Sequence, residues 1–136
     1  MSDLKYESVT DGIINAFYHI YNKLGYGFLE KVYENSLAYE LTRRGFIVDV
    51  QKPITVWYDG VAVGEYYADL IVNQCIIVEL KCGTAINSAH EAQLVNYLKA
   101  TGMEIGLLLN FGPKPEFKRK IFSRRNPKPI SFSDPH

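Results

Sequence analysis

The stretch Ile76-Ile77-Val78-Glu79-Leu80-Lys81 decides which fold this chain is expected to have. It is almost wholly apolar until Glu79, which is typical of a central strand covered on both faces. Glu79 and Lys81 are two residues apart, so their side chains share one face of the strand. Burying a charge is costly unless the charge is paired or binds a metal. The pattern therefore indicates either a strand end that reaches solvent or a buried ionic site.

Asp69 makes the ionic site the sharper hypothesis. It belongs to the preceding predicted strand, over 67–72, and a hairpin would bring it beside Glu79. Two carboxylates at that distance repel each other unless a cation lies between them. Hard oxygen ligands suit Mg²⁺ or Mn²⁺, which can activate a bound water and stabilise charge on a phosphate. Lys81 would then orient the water or neutralise transition-state charge.

The proposed site requires a particular hairpin register, because side chains alternate between the two faces of a sheet. A two-residue turn at Asn73-Gln74 would place Asp69 and Glu79 on opposite faces. A three-residue loop that includes Cys75 places them on the same face, as would a β-bulge, so we predict an odd loop or a bulge. The three-residue loop pairs Val72 with Ile76 and collects one apolar face from Ala68, Leu70, Val72, Ile76, Val78 and Leu80.

Periodicity and turn residues predict the other elements of an α/β layered fold. The first predicted helix begins near Asp11, which lies at its cap or in its first turn, and it ends at Gly25. A second predicted helix ends at Gly45, and its apolar stripe includes Leu29. Pro53 is expected to separate two short strands. The remaining predicted elements are a turn at 59–60, a strand from 61, a helix over 89–100, a strand over 105–111 and a short edge strand around 117–122.

Length and composition indicate one domain with no need for disulfides. The chain has 136 residues, of which 47% are hydrophobic, and its net charge is zero. We predict a domain over 1–123 and a basic, proline-containing tail over 124–136. Cys75, Cys82 and His90 lack the spacing of a zinc site, and two reduced thiols favour a cytoplasmic protein. No signal peptide and no membrane span are predicted.

Because the net charge is zero, any nucleic-acid-binding surface must be local. The chain becomes basic after Gly112. We predict that this segment binds nucleic acid, with a solvated tail as the alternative. The residues proposed for this contact are Lys114, Lys118, Arg119 and Lys120.

Further motifs resemble a known family. Gly27, Glu30 and Tyr33 resemble the signature of the GxxExxY proteins, a branch of the PD-(D/E)xK nuclease superfamily. The resemblance extends from about residue 11 to 122. Asp69 is similar to the superfamily's aspartate, and Glu79-Leu80-Lys81 is similar to its (D/E)xK motif. Glu30 is similar to the helical glutamate of the RecB and lambda-exonuclease groups. Gln93 and Tyr97 are similar to the QxxxY motif of those groups. RecB-like nucleases often carry glycine where this chain has Tyr66.

The resemblance implies a restriction-endonuclease-like layered fold, in which helices flank a central mixed β-sheet. It implies metal ligands at Asp69, Glu79 and Glu30, with Mg²⁺ or Mn²⁺ as the cofactor. The implied activity is a Mg²⁺-dependent nuclease acting on DNA or RNA. A chain of 136 residues offers little surface for binding a duplex, so a homodimer or a protein partner is expected. A catalytically idle binding module and a hydrolase of small phosphodiesters are the alternatives. The implied catalytic residues are Glu30, Asp69, Glu79, Lys81, Gln93 and Tyr97.

Overall fold

The computed structural model describes residues 2–123, apart from the side chains of residues 2–5. The predicted tail over 124–136 lies outside the described residues. No helix in the described part of the chain is long and apolar enough to cross a membrane. The elements in chain order are α1 (Ser2–Leu24), α2 (Glu30–Arg43), β1 (Val48–Tyr58), β2 (Val61–Val72), β3 (Ile76–Lys81), α3 (Ser88–Thr101), β4 (Ile105–Phe111) and β5 (Pro115–Ile121).

The five strands form one mixed sheet in the order β1-β2-β3-β4-β5. The pairing of β3 with β4 is parallel and the other three pairings are antiparallel. The two parallel strands are joined through α3, as a parallel connection requires a crossover. This confirms the predicted α/β fold with a central mixed sheet, and it places β3 in the middle, where five of its six residues are buried.

Helices cover both faces of the sheet. α1 and α2 bury Phe17 and Leu37 in a cluster that includes Val78 of β3. On the opposite face α3 buries Leu94 in a second cluster that includes Ile77. The alternation of Ile77 and Val78 between the two clusters follows from the pleat of the strand. β3 is therefore apolar on both sides, and its polar residues appear only where it ends.

Four predictions about the bounds of elements are wrong. The strand that begins at 61 and the strand over 67–72 are one continuous strand, β2. Asp11 neither caps α1 nor lies in its first turn, because α1 begins at Ser2. Pro53 does not break a strand, because β1 is an edge strand and such a strand tolerates proline on its unpartnered side. Leu29 does not belong to the apolar stripe of α2. It precedes the helix and its side chain is 81% exposed.

The register of the β2–β3 hairpin agrees with the three-residue loop. Val72 pairs with Ile76 and Leu70 pairs with Val78, so the loop contains Asn73, Gln74 and Cys75. Asn73 and Gln74 adopt left-handed backbone conformations with φ of 51° and 58°, which allow so tight a connection.

The predicted apolar face is wrong at one position. Ala68 packs in the α3 cluster, whereas Leu70 packs in the cluster under α1 and α2. The change of face occurs at Asp69, and its neighbour on β1, Gln51, has a left-handed φ of 53°. The backbone pairing of β1 with β2 is interrupted at these two residues. Val50 lies opposite Leu70, and the next pair is Lys52 with Ala68. This irregular point in the sheet lies at the candidate site.

Candidate active site

Two acidic side chains take the place of backbone acceptors where β2 and β3 separate. The recorded pairing of these strands ends at Leu70 and Val78. Beyond it, the Asp69 N–H donates to Glu79 Oε2 at 2.9 Å, and the Leu80 N–H donates to Asp69 Oδ2 at 2.9 Å. Each carboxylate is thus fixed by the main chain of the opposite strand. The structure brings Asp69 and Glu79 together, as the hairpin register required.

The surroundings of this pair disfavour two negative charges. Burial, and then the negative charge of Asp69, raise the pKa of Glu79 to about 8. The pKa of Asp69 is also raised, chiefly by burial, although the hydrogen bond from the Leu80 N–H opposes the shift. Without a cation the pair therefore retains a proton at neutral pH. A bound divalent cation would remove this penalty, so the donor chemistry fits a hard metal ion.

Glu30 lies in the first turn of α2, and its charge acts on those of the pair. Burial and then the charge of Asp69 raise the pKa of Glu30, whereas the charge of Lys81 lowers it. Glu30 is also among the charges that raise the pKa of Glu79. The third carboxylate is therefore near enough to the first two for their charges to interact.

The start of α2 is held in place by the other residues of its motif. Gly27 has a φ of 110°, a conformation that favours glycine. The Tyr33 hydroxyl donates to the Gly25 carbonyl at 2.7 Å and accepts from the Phe28 N–H at 3.3 Å. Its ring stacks on Phe111 with the ring centroids 4.3 Å apart. Gly27 and Tyr33 therefore shape the loop that presents Glu30.

Lys81 supplies the positive charge of the site. It is the last residue of β3 and its side chain is partly buried. Its charge lowers the pKa values of Glu30, Asp69 and Glu79, so its ammonium group acts on all three carboxylates. This is the position from which a lysine can neutralise charge on a bound phosphate.

Gln93 and Tyr97 lie one turn apart on α3, which packs on the face of the sheet opposite α1 and α2. Burial and then the charge of Glu79 raise the pKa of Tyr97 to about 12, and Asp69 contributes to the shift. The Tyr97 hydroxyl therefore stays protonated at physiological pH and can donate a hydrogen bond. Gln93 is exposed and lines a cavity beside Tyr97.

Sequence reasoning missed two residues of the site, Glu34 and Gln51. Glu34 is buried, and its Oε2 accepts from Lys31 at 2.7 Å. Gln51 Nε2 donates to Glu34 Oε1 at 2.9 Å and to Asp69 Oδ1 at 3.2 Å. Glu34 was detectable, because it lies one helical turn after Glu30 and shares its face. Gln51 carried no signal, since its importance comes from a backbone irregularity that only the folded sheet creates.

Metal coordination is best supported by Asp69 and Glu79. Within the described residues, no three or more His, Cys, Asp or Glu side chains are grouped so as to hold a metal ion. Glu30 acts on the pair electrostatically in this arrangement, and its predicted role as a third ligand stays a prediction. The two carboxylates that the strands fix in place are thus the residues that could hold a metal ion.

A sequence profile of the PD-(D/E)XK nuclease superfamily matches residues 7–120, which is most of the chain. The chain belongs to the PD-(D/E)XK nuclease superfamily. Members of this superfamily generally use divalent metal ions. The match includes Glu30, Asp69, Glu79 and Lys81, so the acidic site lies inside the superfamily domain. Among curated proteins, none matches this sequence closely enough to be called a relative.

Two solved structures are similar to this chain. The protein described as SSO0001 has a TM-score of 0.52 and 21% identity, over 87% of this chain and 61% of its own. Hjc, a Holliday junction resolvase from the archaeal hyperthermophile Archaeoglobus fulgidus, has a TM-score of 0.41 and 19% identity, over 66% of this chain and 73% of its own. The present chain therefore spans about three fifths of the length of SSO0001. The likeness to SSO0001 concerns the fold alone.

The predicted basic segment is divided between two faces of the edge strand β5. The Phe117 ring lies against Tyr18 of α1, with centroids 6.4 Å apart, and Arg119 shares that face by alternation. Lys118 and Lys120 point the other way, and Lys120 forms an ion pair with Glu91 of α3. Lys114 is exposed in the loop before β5. The role of these four residues in binding nucleic acid stays a prediction.

Proposed function

We propose that this chain is a divalent-metal-dependent nuclease that hydrolyses phosphodiester bonds of DNA or RNA. The observation that carries the proposal is the pair of buried Glu79 and half-buried Asp69, held by strand N–H groups beside Lys81. Placing two carboxylates in a site that raises both pKa values costs stability. Such a site is more readily explained by cation binding than by structure alone. Membership of a nuclease superfamily supports the same conclusion.

The residues of the site suit different tasks in this reaction. Asp69 and Glu79 would hold Mg²⁺ or Mn²⁺, with Glu30 completing the acidic cluster. The bound metal supplies an activated water and stabilises charge on the phosphate. Lys81 would neutralise the developing charge on the phosphate or orient the attacking water. Tyr97 offers a neutral hydroxyl donor next to the carboxylates.

Assignment to the GxxExxY branch is also part of the proposal. It is supported by the different structural roles of the three motif residues. Gly27 provides the left-handed turn, Tyr33 anchors the loop, and Glu30 is left facing Asp69. A cytoplasmic location and a homodimer or protein partner belong to the same proposal.

Cleavage of labelled single- and double-stranded DNA and RNA in Mg²⁺ or Mn²⁺ tests the activity. We expect the wild type to cut at least one of these substrates and the Glu79→Gln variant to cut none. Glu65→Gln is the matched control, because Glu65 is an exposed glutamate of β2. Calorimetry should show weaker Mn²⁺ binding to an Asp69→Asn/Glu79→Gln variant than to the wild type. Equal Mn²⁺ affinities would exclude the proposed ligands.

A catalytically idle nucleic-acid-binding module is the second candidate. The observation that favours it is that no group of three metal-ligating side chains forms among the described residues. Such a module would bind oligonucleotides, and wild type and Glu79→Gln would be equally inert with both metals. Cleavage that depends on Glu79 excludes this candidate.

A further inference from the structure

A cavity of about 480 Å³ lies beside the acidic site, between α3 and the hairpin formed by β1 and β2. Its volume is in the range of about 300–1,000 Å³ that is typical of small-ligand pockets. Two residues of its lining, Gln93 and Tyr97, belong to the proposed QxxxY motif, but the hydrogen bonds of the carboxylate pair do not account for it. Its lining includes Val56, Val63, Tyr66, Gln93, Asn96 and Tyr97.

The chemistry of the lining suits a neutral, flat, polar-edged group. All the lining residues are uncharged, whereas a phosphate site is normally built from cations or from several N–H groups. Tyr66 and Tyr97 offer aromatic surface, with ring centroids 5.7 Å apart and planes inclined by 43°. Gln93 and Asn96 are exposed on α3 and add amide donors and acceptors at the opening. Aromatic rings stack on nucleobases, and amide side chains pair with base edges.

The cavity adjoins the acidic site through β2, where Tyr66 precedes Asp69 by three residues, and through Tyr97 of α3. One part of this side chain lines the cavity, and the pKa of its hydroxyl responds to Glu79 and Asp69. A nucleotide with its phosphate at the carboxylates would therefore have a neighbouring base within reach of the cavity. Tyr66 is 47% exposed, so its ring is available to such a base.

We propose that this cavity takes an unpaired nucleobase of the substrate strand, next to the phosphate that is cut. The inference rests on the proposed nuclease function and narrows its substrate. A base inside a duplex must first leave the stack, which costs free energy, whereas a single-stranded or frayed base does not have to. The preferred substrates are therefore single strands, flaps and frayed ends rather than continuous duplex.

Binding of fluorescent oligonucleotides in Ca²⁺ tests the inference separately from cleavage. The probes are a short single-stranded DNA with one 2-aminopurine, the same strand with an abasic site at that position, its perfect duplex, and the RNA of equal sequence. We expect the single strand to bind more tightly than the duplex, with quenching of 2-aminopurine as it stacks. The RNA probe shows whether the cavity accepts a base on ribose as well as on deoxyribose.

Three variants assign the effect to the cavity. Tyr66→Ala should weaken single-strand binding about tenfold, as expected for one lost stacking ring. It should leave the affinity of the abasic strand unchanged, and Tyr66→Phe should retain wild-type affinity. Tyr67→Ala is the matched control, because Tyr67 is the next residue, is 51% exposed and points to the other face of β2. Thermal unfolding of each variant reports whether the fold is intact.

Two results would overturn the inference. Unchanged single-strand affinity in Tyr66→Ala would do so, even if Glu79-dependent cleavage were observed. A dimer that dissociates in Tyr66→Ala, with oligonucleotide affinity unaltered, would assign the cavity to a second copy of the chain. Base-dependent binding by a protein that never cleaves would instead support the cavity assignment and remove the nuclease proposal.

Discussion

Glu79→Gln should stabilise the metal-free protein at alkaline pH, even though it removes the proposed activity. In the folded protein the pKa of Glu79 is raised from 4.5 to about 8 by burial and by Asp69. A raised carboxyl pKa contributes stability that is fully present below the unfolded value, about 4.5, and is lost as pH rises toward 8. With about 1.4 kcal/mol for each pKa unit, the loss has an upper limit of roughly 5 kcal/mol.

The glutamine keeps the shape and the hydrogen bond of the glutamate without its charge. Its amide oxygen can still accept from the Asp69 N–H, which donates to Glu79 Oε2 at 2.9 Å in the wild type. The variant should therefore lack the loss of stability between about pH 4.5 and 8 that belongs to Glu79. Near pH 9 we expect it to be about 2–5 kcal/mol more stable than the wild type in EDTA.

Urea unfolding at a series of pH values between 5 and 9, with EDTA and then with Mg²⁺, measures this effect. Mg²⁺ should stabilise the wild type at alkaline pH and have little effect on Glu79→Gln, because only the wild type has both proposed ligands. Parallel stability curves for the two proteins in EDTA would show that Glu79 ionises normally, and the argument from burial would be refuted.

Glu40→Gln provides a control of opposite sign. Glu40 is also a buried glutamate, but Arg44 and Arg43 bond its carboxylate and lower its pKa. A lowered carboxyl pKa contributes stability that is present above the unfolded value and is lost as pH falls through the folded value. Glu40→Gln should therefore destabilise the protein at neutral pH, and the difference should shrink in acid. A stabilising effect of both substitutions would indicate a general response to removing negative charge.

Three other predictions concern the supports of the site and its basic edge. Gly112→Ala should lower the thermal midpoint or prevent folding, because a Cβ there would lie 2.0 Å from the Gly83 carbonyl oxygen. Tyr33→Phe should lower the free energy of unfolding in urea by about 1–3 kcal/mol, because the Gly25 carbonyl and Phe28 N–H lose their partner. It should also lower the cleavage rate by more than the fraction of unfolded protein accounts for. Lys118→Gln should reduce the salt dependence of oligonucleotide affinity more than Arg119→Gln does, because Lys118 shares the face of β5 that packs toward α3. Equal slopes of log affinity against log salt concentration in the two variants would contradict this.

The sequence determined the class of fold and the central strand. The apolar run of β3 predicted a central strand because a strand buried on both faces has a nearly continuous run of apolar residues. Its bounds, those of β4 and the turn at Asp59-Gly60 agree with the structure. The loop of the β2–β3 hairpin was also predictable, because a one-residue change in register would have moved Asp69 away from Glu79.

The tertiary structure alone decided the details that control the site. Side-chain alternation predicted Ala68 on the same face of the sheet as Leu70, but the two side chains point to opposite faces. The alternation is interrupted at Gln51 and Asp69, where the backbone pairing of β1 with β2 is also interrupted. Gln51, which bridges Glu34 to Asp69, lies at this irregularity, and no local sequence pattern indicated it. The sequence could supply the charged residues. Their pKa values and partners depend on burial and on groups distant in the chain, which only the packed sheet and helices bring together.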